Sequence, residues 1–321
     1  MYFMPLVYTW ANLMLYYCCM TIIPPYLKKG DTIGIVCPAG YMPYDKAATC
    51  IEVLQQWGYK VKIGKTLGSQ FAYFSGTDEE RLTDLQQMLD DDTVQAVLCG
   101  RGGYGMGRIV DHINFGKFRK KPKWVIGFSD ITVFHAHVYR LFSIAGIHAP
   151  MAAAFNDSEY KNEYVQSLRK VLAGKKSKYT AAFHSFNKPG AVTAPLIGGN
   201  LSLLAHLVGT PSALKTKGRL LFLEDVGEYI YNIDRMMYQL KRSGAFDEAA
   251  GVVVGIFSDM KDTVVPFGRD VYEVIRDVLK EYDFPVCYQF AISHEKENYA
   301  VKVGVSYQLT VGKNKVKLTE Q

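Results

Sequence analysis

No two of the six cysteines form a C-x-x-C pair, so the chain lacks the usual signature of a zinc site or a thioredoxin-like redox centre. Cys18, Cys19, Cys37, Cys50, Cys99 and Cys287 are scattered along it, and Cys37 and Cys99 fall inside apolar strand-like runs. That is the setting of buried free thiols and suits a reducing compartment. No internal repeat and no low-complexity tract occurs. The net charge of +6 is modest for 321 residues, and the lysines are not concentrated among aromatics, which argues against a nucleic-acid surface. Two basic runs, Lys117 to Lys123 and the last dozen residues, read as solvated surface.

Charge is missing altogether from Met1 to Tyr26, and Leu6 to Ile23 approaches the length of a membrane span. Yet no basic segment precedes it, no small-residue cleavage site follows, and Pro5, Asn12 and several tyrosines interrupt it. Residues 1–22 are therefore expected to be an extension, either a mis-assigned start or a disordered tail. A membrane anchor or atypical signal is the alternative.

What is present describes a globular protein long enough for two domains, with 49% hydrophobic and 21% charged residues. Thr32–Cys37 predicts a buried strand, Asp45–Trp57 a helix closed by Gly58, and Tyr59–Ile63 a second strand, a βαβ opening that implies a parallel sheet. A helix over Asp78–Leu89 and a strand over Val94–Cys99 follow, the strand running into the glycine-dense turn Gly100-Arg101-Gly102-Gly103-Tyr104-Gly105-Met106-Gly107. Trp124–Ile126 is a further strand, and Ile131–Phe142 has helical spacing. The fold class expected is α/β: a Rossmann-like parallel-sheet domain over 23–155, a polar linker over 156–190, and a smaller mixed α/β domain over 191–321. In the second domain, strands are predicted at Arg219–Leu223, Gly251–Phe257 and Pro285–Ile292, with Tyr299–Val305 and Tyr307–Val311 as a closing hairpin.

Ser129 stands at the junction between the Trp124–Ile126 strand and the helix after it. A serine there can present its hydroxyl beside the free N–H groups of a helix start, as an acyl-transfer nucleophile requires. Equally, Ser129 or Asp130 can simply cap the helix. The glycine turn has three readings: a phosphate cradle without the G-K-[ST] ending of a P-loop, a tight structural turn, or an oxyanion hole in which Gly102 or Gly103 donates N–H groups. His294 ends a predicted strand, and Glu224, Asp225 and Glu228 are candidate carboxylates. His135 and His137 are two apart and make a poor metal pair on a helix.

Taken in order, R-G-G-Y-G, G-F-S-D-I-T, L-I-G-G-N-L, L-F-L-E-D-V-G-E and a strand ending in histidine resemble the LD-carboxypeptidase family of serine peptidases, which also contains the microcin-C immunity peptidases. The resemblance runs from about Ile23 to the C-terminus. It implies Ser129 as nucleophile, His294 as base and Glu224 as its carboxylate partner, with Glu228 close enough in sequence to compete for that place. It also implies backbone oxyanion donors at Gly102, Gly103 and Asp130, and neither metal nor cofactor. Many members carry a glycine beside the histidine; here Glu295 stands there, while Asn298 follows as in the family. The implied activity is cytoplasmic release of the terminal D-alanine from murein tetrapeptides by a homodimer. Arg101 is a candidate for the substrate's terminal carboxylate. Hydrolysis of aminoacyl-nucleotide analogues is the alternative within the family, and a non-enzymatic binding protein using the same cleft is the alternative outside it.

Overall fold

A computed structural model describes residues 21–321. The uncharged segment 1–20 lies outside the described residues, but Thr21 and Ile22, expected to belong to it, are already part of the fold. Ile22 bridges Ile144, and the Thr21 hydroxyl donates to the Gly304 carbonyl at 2.8 Å.

The first half builds a parallel sheet from β1 (Thr32–Val36), β2 (Lys60–Ile63), β3 (Ala96–Cys99), β4 (Trp124–Ile126) and β5 (Gly146–His148), ordered β5-β4-β3-β1-β2. Almost every side chain of β1, β3, β4 and β5 is buried, because crossover helices cover a parallel sheet on both faces. Local sequence sets the helix ends. Gly58 follows the helix Asp45–Gln56 with φ +97°, and Thr77 and Glu80 form a reciprocal capping box on Asp78–Asp90.

The segment expected to be a polar linker is built into the molecule. Its helix, Glu163–Leu172, buries Val165, Leu168, Val171 and Leu172 in the main core, and β6 (Lys178–Ala182) joins the second sheet. That sheet continues with β7 (Gly190–Asn200), β8 (Leu220–Val226), β9 (Gly251–Ser258) and β10 (Val286–Cys287), which are mutually parallel. The chain closes with β11 (Val301–Val303), β12 (Ser306–Val311) and β13 (Lys315–Glu320). The second sheet reads β10-β9-β8-β7-β12-β13-β6, with its last three strands antiparallel.

The expected hairpin of the two closing segments does not form. β11 crosses to the first sheet and pairs antiparallel with β5, whereas β12 pairs with β7 and β13. One hydrophobic cluster accordingly spans both sheets. The basic side chains of the two runs are exposed as expected, with one exception: Lys123 is buried, its Nζ donating to the carbonyls of Met88 and Asp91, while the terminal run forms β13 with Val316 and Leu318 in the core. Cys37, Cys50, Cys99 and Cys287 are buried free thiols, and burial pushes that of Cys37 up to about 12. Among the described residues no helix is long and apolar enough to cross a membrane.

Candidate active site

Because β1, β3 and β4 are neighbours and parallel, the turns at their carboxyl ends converge. Gly40, after β1, donates its N–H to the Gly102 carbonyl at 3.0 Å. Gly102 in turn lies against Ser129. A Cβ at 102 would stand 2.8 Å from the Ser129 Cβ and 3.0 Å from its Oγ, so only glycine lets this backbone come so near the hydroxyl.

Ser129 has φ +62°, a left-handed conformation uncommon for a side-chain-bearing residue. It opens a 3₁₀ turn, Ser129–Ile131, that continues into the helix Thr132–Phe142. The cap positions of these two elements are Phe128 and Ile131, and neither carries a side-chain cap bond. The capping alternative is therefore not what Ser129 or Asp130 does. The Asp130 carboxylate reaches across to the far end of the glycine turn and accepts the Met106 N–H at 2.7 Å. It fastens the turn after β4 to the turn after β3. Burial pushes its pKa up to about 6, although the Met106 N–H works in the other direction.

The second sheet supplies the other half. Glu224 lies within β8 rather than beyond its end and is wholly buried; its Oε2 accepts from Nδ1 of His294 at 2.6 Å. The second oxygen, Oε1, is buried with no hydrogen-bond partner. Burial by itself depresses the His294 imidazole, but the charge and hydrogen bond of Glu224 outweigh it and hold the pKa above the ordinary histidine value. Glu228 points elsewhere, accepting from Ser202 Oγ at 3.3 Å and Asn232 Nδ2 at 3.1 Å. Of the two glutamates left open by sequence, Glu224 is the one on the imidazole. Asp225 accepts from Asn200 Nδ2 and from both the N–H and the hydroxyl of Ser202.

Contact between the end of β7 and the helix after Ser129 joins the halves. Asn200 donates its N–H to Thr132 Oγ1 at 3.1 Å, and a Cβ on Gly199 would fall 2.4 Å from that same oxygen. β7 is the immediate neighbour of β8, so this packing places the Ser129 helix relative to the strand bearing Glu224. Two participants were not singled out from sequence. Thr132 is the last residue of G-F-S-D-I-T. Phe128, next to the serine, sets its ring edge-on to His294 with centroids 4.9 Å apart, and it lies 5.6 Å from His148. Adjacency to Ser129 was the only signal for it. His148 is buried, its pKa pushed down to about 3 by desolvation, and its Nε2 lies 3.3 Å from Asn298 Oδ1.

Beside His294 opens a cavity of about 350 Å³, whose lining includes Gly100, Arg101, Phe128 and Asn298. Arg101 is exposed, with Nη1 donating to the Tyr41 carbonyl at 2.8 Å. A second cavity of about 400 Å³ lies beyond the glycine turn, bordered by Gly103, Asp130 and Ser202. The arrangement holds parts that an acyl-transfer site needs: a hydroxyl on a left-handed turn packed against Gly102, and an imidazole bonded to a buried carboxylate.

Comparison with known proteins agrees with this. Two family models match, the LD-carboxypeptidase N-terminal domain over residues 33–149 and the LD-carboxypeptidase C-terminal domain over 193–309. A probable murein peptide carboxypeptidase of Bacillus subtilis is 37% identical, the match covering 88% of this chain and 89% of that protein. The microcin C7 self-immunity protein of Escherichia coli is 27% identical over 92% of this chain and 95% of its own. Among solved structures, the muramoyltetrapeptide carboxypeptidase of Oxalobacter formigenes superposes with a TM-score of 0.83 at 27% identity, covering 90% of this chain and 98% of that one.

Proposed function

Since the chain belongs to the LD-carboxypeptidase family, we propose that it is a serine-type carboxypeptidase that hydrolyses the L,D peptide bond to the terminal D-alanine of murein tetrapeptides. The observation that carries the mechanism is the 2.6 Å bond between His294 Nδ1 and buried Glu224. It fixes the tautomer, leaving Nε2 unprotonated to take the proton of Ser129 as the hydroxyl attacks the carbonyl. The N–H groups of Gly102, Gly103 and Asp130 then receive the developing oxyanion, and His294 returns the proton to the departing amine. Water repeats the cycle on the acyl-enzyme. Glu224, sealed from solvent, stabilises the imidazolium formed in each half. Arg101, on the cavity beside His294, holds the terminal carboxylate. In this reading residues 23–155 carry the nucleophile and 191–321 the Glu–His pair. The protein works as a cytoplasmic homodimer without metal or cofactor.

The test is release of D-alanine from L-Ala-γ-D-Glu-mesoDAP-D-Ala by the purified protein. Turnover insensitive to chelator is expected, falling to about 10⁻³ or below in Ser129→Ala and His294→Ala. Full activity in either variant refutes the assignment. The likeness to the microcin C7 self-immunity protein favours a second reading, hydrolysis of an aminoacyl-nucleotide analogue at the same serine. Assay of an aminoacyl sulfamoyl adenosine beside the tetrapeptide separates the two by their kcat/KM.

A further inference from the structure

We propose that Arg81, on the helix Asp78–Asp90, is a positioning residue for the oxyanion turn: its guanidinium and the Asp130 carboxylate grip the two ends of one peptide unit and so hold the backbone beside Ser129. The inference rests on the hydrolase reading above and adds a residue to it. Arg81 is wholly buried. Its Nη1 donates to the Pro38 carbonyl at 2.6 Å and the Gly105 carbonyl at 3.1 Å, its Nε donates to the Gly76 carbonyl at 3.3 Å, and its Nη2 pairs with Asp78. The Phe74 ring covers it, with its centroid 4.7 Å from the guanidinium carbon. A guanidinium keeps its charge when buried, so its donors must be satisfied there. Three of these bonds go to backbone carbonyls, which makes the side chain a clamp on the turn after β1, the turn after β3 and the entry to its own helix.

The peptide between Gly105 and Met106 is where this clamp meets the nucleophile. In a planar trans peptide the C=O and N–H point in opposite directions. Here the C=O accepts from Arg81, and the N–H donates to the carboxylate of Asp130, the residue after Ser129. Both bonds are charge-assisted, and turning the peptide breaks both. The far end of the glycine turn is thus fixed from two sides. Its near end is fixed through Gly40, which stands two residues after Pro38 and donates its N–H to the Gly102 carbonyl. Turn and guanidinium also interlock: a Cβ at Gly105 would stand 2.6 Å from Arg81 Nη1 and 3.0 Å from the Ala39 Cα. Ser129 needs such support, because a left-handed backbone at a side-chain-bearing residue persists only where its surroundings hold it. Lysine keeps the charge but not the fork that reaches several carbonyls at once.

The experiment measures D-alanine release from L-Ala-γ-D-Glu-mesoDAP-D-Ala by Arg81→Lys, Arg81→Met, Asp130→Ala and the double variant Arg81→Lys with Asp130→Ala, each checked for folding by circular dichroism. Arg108→Met is the control, since Arg108 is exposed and bonds the same Asp78 carboxylate. Arg81→Lys and Asp130→Ala should each lower kcat about tenfold or more and Arg81→Met about 10²-fold or more, with KM within about threefold of wild type. The double variant should be at most about threefold slower than its slower parent, because both changes release the same peptide. Arg108→Met should keep kcat within about threefold. Arg81→Lys decides the matter even where a larger change does not fold. Wild-type kcat in Arg81→Lys overturns this inference and leaves the hydrolase reading standing. So do a KM that rises as kcat falls, effects that multiply in the double variant, or a control as slow as Arg81→Met. Wild-type protein that releases no D-alanine overturns the hydrolase reading and this one with it.

Discussion

His294 is held in opposite directions by two effects of the same burial. Desolvation disfavours the imidazolium, while the Glu224 carboxylate, itself sealed from water, favours it and prevails. The base must be neutral to accept the serine proton, so kcat/KM should rise with pH along an acid limb whose midpoint lies above the ordinary histidine value of about 6.5. Glu224→Gln removes the charge and keeps the shape. We expect the acid limb to move to lower pH and kcat to fall by about 10²–10⁴; an unmoved limb in a pH–rate profile would show that the limb belongs to another group. The same shift stabilises the fold below pH 6.5, and that contribution is lost as pH rises through the folded-state value. Asp130 has the same sign from a different cause, burial rather than a charged partner. Its carboxyl is raised from 3.8 to about 6, so the folded state holds the proton more tightly than the unfolded one, and stability drains away as pH climbs between those values. Asp130→Asn keeps an oxygen for the Met106 N–H without the buried charge. It should gain up to about 3 kcal/mol in urea unfolding at pH 7.5, with the gain vanishing near pH 3.5.

At the scale of elements, the site depends on turns that leave no room. Gly102→Ala puts a methyl 2.8 Å from the Ser129 Cβ, and either the oxyanion turn or the serine must yield. The global fold does not depend on that contact, so kcat should fall about 10²-fold or more while the urea midpoint changes little. A parallel loss of stability would mean the turn is a structural keystone instead. These turns were the most legible part of the sequence. Short apolar runs marked β1, β3 and β4, ended by Pro38 to Gly40 after β1, by Gly100 after β3 and by Gly127 after β4, because fully buried parallel strands need continuous apolar residues and then a sharp exit. The role of Ser129 was less legible. Local preference gives capping, whereas in the structure Ser129 has a left-handed backbone, lies against Gly102 and occupies no cap position. β11 and β12 show the limit most plainly. Their alternation identified strands, but alternation does not name a partner: β11 found β5 far away in sequence, and β12 paired with distant β7 and with the following β13 instead of with β11. Lys123 misled for a related reason: a basic run looks solvated until two carbonyls from another element are brought to it.

Across the whole molecule, the nucleophile comes from one sheet and the Glu–His pair from the other, so the site exists only while the sheets keep their places. β11 is the tie. It belongs to the first sheet yet sits between elements of the second, and its Lys302 is wholly buried, donating to Glu320 at the end of β13 at 2.7 Å and to the Tyr26 hydroxyl at 3.1 Å. Tyr307 of β12 accepts the Lys302 backbone N–H at 3.1 Å, and the other Glu320 oxygen takes the Ser177 N–H at 2.8 Å. A buried pair of this kind adds little over a well-packed apolar pair, because both ions are stripped of water; its removal from one side is what costs. Glu320→Ala should therefore destabilise the protein by about 3–5 kcal/mol, leaving an ammonium stranded between the sheets. The double variant Lys302→Met with Glu320→Leu should recover most of that loss. Urea unfolding followed in parallel by fluorescence and by D-alanine release decides the point. Coincident transitions in Glu320→Ala mean that the sheets separate only on global unfolding. Activity lost at lower urea than fluorescence means that β13 and β11 let go first, and that the site opens along the seam between its two halves.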